Sequence, residues 1–216
     1  MTEARPELDP ARASDRLMGA TARVVRGVLR MYRLSVLGRA SFPTSGPVVL
    51  VANHSGLLDG PLVAAVAPRT PHFLVKQEVY AGRVGRLLLR LGQIPVDRAT
   101  GDRRALASAR TVLDAGGVVG VFPEGTRGTG EVAAVQQGAA WLVLQTGAQV
   151  VPVACVGTRA PGRGAGSLPR PGARMVVAFG EPFSVEAPAG VPGRERLRLA
   201  TSQIHEHLRE HVAAHR

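Results

Sequence analysis

At 216 residues the chain can bury one good core, so a single α/β-sized domain with one site is the expectation. Its 27 basic residues, all arginine except Lys76, outnumber 16 acidic ones for a net charge of +11, which calls for an anionic partner: nucleic acid, phospholipid headgroups or phosphorylated small molecules. Aromatic residues at 4% exclude a base-stacking single-strand binder and leave no nucleic acid among the expected partners, and the single cysteine, Cys155, excludes an internal disulfide and a Cys-rich zinc site.

The leading segment MTEARPELDPARASD is acidic and polar at its start, unlike a secretory signal, and no stretch approaches the ~18 uninterrupted apolar residues of a membrane span. Ser14 is an N-cap for a predicted helix over SDRLMGATARVVRGVLRMYRL. On a helical wheel Arg12, Arg16, Arg23, Arg26, Arg30 and Arg33 fall in one sector about 100° wide, opposite Leu17, Met18, Val24, Val25, Val28, Leu29, Met31 and Tyr32. Such a pattern fits a surface helix packed on a core, or an interfacial helix on anionic lipid. A polar face made of arginine, without acidic partners, favours lipid and names Arg16, Arg23, Arg26, Arg30 and Arg33 as membrane-binding residues. The predicted organisation is this lead and helix over residues 1–40, then one α/β domain over 41–216.

From Pro47 onward, apolar β-branched runs alternate with helical stretches: PVVLVAN, PHFLV, QIPV, GVVGVF, AQVVPVACV and ARMVVAF, with helices near 60–67, 82–91, 102–115, 134–146 and 193–213. Continuous hydrophobicity suits strands covered on both faces, which predicts an α/β fold with a mainly parallel central sheet flanked by helices. In such sheets ligands bind beyond the strand C-termini. NHSGLLD, PVDR and PEGTRGTG all follow strands there. Residues 158–172, TRAPGRGAGSLPRPG, read as a mobile basic loop, since their glycines miss the dinucleotide spacing. In the last helix Leu197, Leu199, Ile204, Leu208 and Val212 form the apolar side, and its histidines read as solvated.

His54 and Asp59 carry the first chemical signal. On a continuous helix their spacing would separate them by about 140°, so they meet only across a non-helical turn, which Ser55 and Gly56 allow. A carboxylate holding one ring nitrogen leaves the other to take a proton from an alcohol, which makes His54 a candidate general base. By itself the spacing also fits capping and solvated residues. VFPEGTRG adds Glu124, Gly125, Thr126 and Arg127 at a strand end, where glycine admits close approach and a guanidinium can fork onto phosphate, unless Glu124 and Arg127 simply pair. Arg98 in IPVDR and Lys76 in FLVKQEVY end two further strands. Cys155, inside VVPVACVG, reads as a buried inert thiol.

NHSGLLD, GQIPVDR, FPEGTR and VVPVA, in that order over roughly residues 45–180, resemble the glycerolipid acyltransferases of the lysophosphatidic acid (1-acylglycerol-3-phosphate) acyltransferase type. The resemblance implies that His54 deprotonates the free hydroxyl of a lysophospholipid, oriented by Asp59, for attack on an acyl thioester to give phosphatidic acid. It implies that Lys76, Arg98 and Glu124 to Arg127 grip the acceptor phosphate, and that the helix before the domain docks on the bilayer. It also implies a peripheral, monotopic place on the cytoplasmic face of the cell membrane. Acyl-CoA or acyl carrier protein is the donor substrate, and no cofactor or metal is expected. Backbone N–H groups near Gly125 or Gly56 are oxyanion-hole candidates. There is no G-x-S-x-G elbow, so direct transfer is simpler than an acyl-enzyme. VQQGAAWL departs from relatives that carry basic residues at that place. Competing readings are another acceptor (a different lysophospholipid or glycerol 3-phosphate), a non-catalytic module binding anionic membranes, and a metal-dependent hydrolase using His54, Asp59, His72 and Glu124, whose spacings match no metal signature.

Overall fold

A computed structural model describes residues 15–97, 103–123, 137–160, 162–164, 166–186 and 190–216, except the side chains of residues 15 and 16. In chain order the elements are α1 (Asp15–Leu29), β1 (Arg33–Leu37), β2 (Val48–Ala52), α2 (Asp59–Val66), β3 (Pro71–Lys76), α3 (Gly82–Arg90) and β4 (Ile94–Val96), followed by α4 (Arg103–Asp114), β5 (Val118–Val121), α5 (Gln137–Thr146), β6 (Gln149–Val156), β7 (Arg174–Phe179) and α6 (Gly193–Ala213).

The strands form one sheet in the order β1-β7-β6-β2-β5-β3-β4, parallel at every neighbouring pair except β6 and β7. β2, VVLVA, lies in the middle and is buried along its whole length, as a strand without polar alternation must be. One sheet face is covered by α4, α5 and α6 through Ala109, Leu142, Ile204 and Leu208. The other is covered by α1 and α2 through Leu29, Leu62 and Val63. From β2 the chain steps outward through β3 to β4, returns to β5, and crosses to β6 on the other side. The switch in direction falls at the C-terminal end of β2, where a doubly covered sheet opens a crevice.

Two expectations need correction. The first helix ends at Leu29, not near Leu34, and residues 33–37 form an edge strand paired with β7. The cause is tertiary: β7 would otherwise expose a row of backbone groups, and Gly172 N–H donates to Met31 O while Arg33 N–H donates to Ala173 O to begin the pairing. Arg33 is therefore a strand residue and not part of the helical arginine sector. The histidines of α6 are not uniformly solvated either. His211 is half buried, with Nε2 donating to Ala178 O, and burial lowers its pKa. His207 stacks on Phe183.

The loop 158–172 is tied at both ends: Thr158 is buried, and Tyr32 Oη donates to Pro169 O across 3.4 Å. The apolar side of α1 divides. Met18 and Leu29 face the core, while Val24, Val28 and Met31 remain exposed beside Arg23, Arg26 and Arg30.

Candidate active site

At the end of β2 the backbone leaves the sheet, and Asn53 replaces the lost ladder. Its side-chain amide donates to Cys155 O (2.9 Å) and accepts from Cys155 N–H (2.7 Å), imitating a peptide group and fixing the exit of the chain towards β6. Burial, then the negative charge of Asp59, raises the Cys155 thiol pKa well above its ordinary value, which keeps this sulfur protonated and unreactive.

The next residues make the turn that the spacing of His54 and Asp59 demands. His54 Nδ1 lies 3.0 Å from Asp59 Oδ2, and the same oxygen accepts Ser55 N–H at 2.7 Å and Gly56 N–H at 2.8 Å. Asp59 is fully buried as the first residue of α2, where the helix dipole favours its negative charge. Two backbone N–H groups already donate to Oδ2, so this oxygen acts as an acceptor and the tautomer that completes the set has the proton on Nδ1. Nε2 has no hydrogen bond to any described residue and is the nitrogen left to accept a proton.

Aromatic rings back the imidazole. His54 stacks on Phe122 at 4.2 Å, and Phe122 stacks on Phe73 at 5.2 Å. Gly120 makes this possible, since a Cβ there would lie 2.3 Å from the Phe73 ring. The His54 side chain is 14% exposed: reachable, yet walled by apolar surface that strengthens its pairing with Asp59.

The turn is also clamped from β6. Ser55 Oγ and Thr158 Oγ1 share a hydrogen bond of 3.0 Å, and a Cβ on Gly56 would come within 2.5 Å of Thr158 O. Gly56→Ala is expected to displace the turn, lowering the melting temperature by several degrees and activity at least about 10-fold, because two of the three donors to Asp59 are the backbone of this segment. A thermal melt beside initial rates checks it; a wild-type rate would mean that the close approach is dispensable.

Gly56 N–H, an oxyanion-hole candidate by sequence, is already committed to Asp59, so that expectation does not hold in this arrangement. Lys76 stands at the C-terminal end of β3, on the same edge as His54 and two strands away, about 10 Å in the sheet plane. Its amine lies 2.9 Å from Glu78, with both side chains more than half exposed. Arg98 and Glu124, Gly125, Thr126 and Arg127 lie outside the described residues, as does the side chain of Arg16. His72 does not join the site: it bonds to Gly92 O near the N-terminal end of β3. Among the described residues no three His, Cys, Asp or Glu side chains converge as metal ligands would.

Sequence reasoning missed Asn53, Ser55, Phe73, Phe122 and Thr158 as parts of the site. A glycine inside the valine strand VVGV was the available signal for a close approach, since glycine weakens a strand unless something needs the space.

A histidine held by a buried aspartate at the switch point of a doubly covered, mainly parallel sheet is an arrangement able to take up a proton. The family model Acyltransferase matches residues 33–156, and the chain belongs to this family. The similar proteins include the 1-acyl-sn-glycerol-3-phosphate acyltransferase of Bacillus subtilis (strain 168), 27% identical over 86% of this chain and 89% of its own length. The human 1-acyl-sn-glycerol-3-phosphate acyltransferase alpha is 36% identical over 56% of this chain, a match spanning 44% of that protein. The fold is shared with the crystal structure of the 1-acyl-sn-glycerophosphate acyltransferase of Thermotoga maritima, with a TM-score of 0.71 over 91% of this chain and 78% of that one at 24% identity.

Proposed function

We propose that this acyltransferase moves a fatty acyl group from an acyl thioester to the free hydroxyl of lysophosphatidic acid, forming phosphatidic acid. The observation that carries the reading is the His54 to Asp59 pair, with Nε2 free of hydrogen bonds to the described residues at the sheet edge where Lys76 ends β3. The relatives that share this chain's family bear names for the same reaction.

In this reading the acceptor hydroxyl donates its proton to His54 Nε2 as its oxygen attacks the thioester carbonyl. Asp59 stabilises the imidazolium so formed. The tetrahedral intermediate collapses with cleavage of the C–S bond, and the imidazolium returns its proton to the departing thiolate, leaving ester, thiol and neutral His54. No covalent enzyme intermediate is needed. Lys76, Arg98 and the segment Glu124 to Arg127 hold the acceptor phosphate, and the donor is acyl-CoA or acyl carrier protein.

The enzyme works as a peripheral protein on the cytoplasmic face of the cell membrane. Among the described residues no helix is long and apolar enough to cross a membrane. α1 and the turn after it support docking, because they expose Val24, Val28 and Met31 next to Arg23, Arg26 and Arg30. Residues 33–37, placed by the sequence in the segment before the domain, form β1 of its sheet.

The test is product formation by the full chain on vesicles, with palmitoyl-CoA and either lysophosphatidic acid, another lysophospholipid or glycerol 3-phosphate. Phosphatidic acid from lysophosphatidic acid is expected at the highest kcat/KM. Faster turnover of another acceptor would replace the substrate and keep the reaction class. Silence with every acceptor and with both donor types, vesicle binding being intact, would leave a non-catalytic membrane module.

A further inference from the structure

α3 is almost unpartnered by the described residues of the fold. Of its sequence GRVGRLLLR only Gly85 is buried, packed so tightly that a Cβ would strike Tyr80 O, while Val84 is 59% and Leu87 41% exposed. Leaving two large apolar side chains of a short helix in water is unfavourable unless something covers them. At 100° per residue Arg83, Arg86 and Arg90 fall within a sector about 60° wide, away from Gly85, with Leu87 and Val84 filling the arc beside it. Among the described residues no carboxylate pairs with these three arginines, and the helix contains no acidic residue.

α1 has the same three-part section: a core side at Met18 and Leu29, an arginine sector at Arg23 and Arg26 that Arg30 continues in the turn after the helix, and an exposed apolar arc at Val24 and Val28. The two helices also share a sheet face. The crossover from β2 to β3 places α2 on the α1 side, and the step from β3 to β4 runs in the same direction across the sheet. Parallel crossovers are right-handed, so α3 lies on that face too. Meanwhile α4 and α5, whose connections run back the other way, cover the opposite face.

We infer that α3 is a second membrane-contact element, pressing Val84 and Leu87 into an anionic phospholipid surface while Arg83, Arg86 and Arg90 meet its headgroup phosphates. The enzyme then docks on two helices of one face, with α2 and the His54 turn between them. An acidic protein partner could meet the arginines as well. Lipid is favoured because the apolar arc is shared with α1 on the same face, which suits a continuous planar surface. The inference extends the docking assigned to α1 under the proposed function and does not use the acyl-transfer reaction, so it is read without turnover.

The experiment measures partition of the full chain onto vesicles of phosphatidylcholine alone and of phosphatidylcholine with phosphatidylglycerol. Each arginine near an anionic surface contributes about five-fold in affinity, so Arg83→Gln/Arg86→Gln/Arg90→Gln should bind the mixed vesicles about 100-fold more weakly than wild type and lose most of the salt dependence that α3 supplies. Val84→Ser/Leu87→Ser should bind more weakly to both compositions. All five side chains lie outside the site, so thermal melts and turnover of a short-chain monomeric acceptor should stay at wild-type values, and activity on that acceptor failing in wild type as well would count against the reaction alone. Leu87→Trp in a Trp141→Phe background gives a second readout, with quenching by brominated phospholipid expected. Wild-type vesicle affinity in both multiple variants overturns the inference. So does vesicle affinity kept while turnover falls only with an acyl-carrier-protein donor, which would assign α3 to a protein partner.

Discussion

His54→Ala is expected to reduce the rate of acyl transfer by about 100- to 10,000-fold, the range that a positioned general base supplies. A glycerol hydroxyl is far too weak an acid to ionise near neutrality, so without Nε2 its proton has no acceptor when the C–O bond forms. The substitution should leave the fold standing. His54 stacks on Phe122 but, among the described residues, donates no hydrogen bond beyond that to Asp59, and its loss removes one ring from the edge of a core that β2, α2 and α5 hold elsewhere. Thiol release from palmitoyl-CoA, followed for wild type and variant at equal vesicle-bound enzyme, separates the chemical defect from a docking defect. A variant retaining a tenth or more of the wild-type rate would remove His54 from the role of base.

Asp59→Asn gives the second large effect, and the geometry makes it an unusually clean test of charge. Ser55 N–H, Gly56 N–H and His54 Nδ1–H all converge on Oδ2, whereas Oδ1 is buried without a partner among the described residues. An asparagine can therefore place its carbonyl oxygen where Oδ2 stands, keep all three donors and hold the imidazole in the same tautomer. What disappears is the negative charge beside the imidazolium that forms during transfer. At about 4 Å and an effective dielectric near 20 that charge is worth about 4 kcal/mol, or roughly 1,000-fold in rate. The amide nitrogen would meanwhile occupy the unpartnered Oδ1 position and cost about 1–3 kcal/mol of stability. The expected pattern is a kcat down by about 1,000-fold, an almost unchanged KM and a melting point lowered by several degrees. Asp59→Ala, which loses orientation and charge together, should be slower and less stable still. Equal rates for the two variants would show that Asp59 acts by position and not by charge.

The sheet was legible because strands such as VVLVA and VVPVACV carry unbroken β-branched runs that only a doubly covered sheet can bury. The His54 and Asp59 pair was legible because both residues lie in one short stretch, and their spacing excluded a continuous helix. β1 was not, since RLSVL continues the helical pattern of α1 and becomes a strand only because the edge of β7 takes it up. Nor was the wall behind the imidazole: the stack of Phe73, Phe122 and His54 depends on the mutual register of three strands, which local pattern does not encode. Gly56 was read as a source of backbone freedom and a possible oxyanion donor. Its use is spatial, and Thr158, which makes it so, is far away in sequence.

The clamp made by Asn53 on Cys155 joins residues 102 positions apart, whereas the acid and base it supports are five apart. Closing the short loop costs little chain entropy and closing the long one costs more, so the direction of the pair depends on the costlier closure. A chain lacking its last third keeps His54 and Asp59 but loses Cys155 and Thr158, the two distant anchors that fix the turn between them.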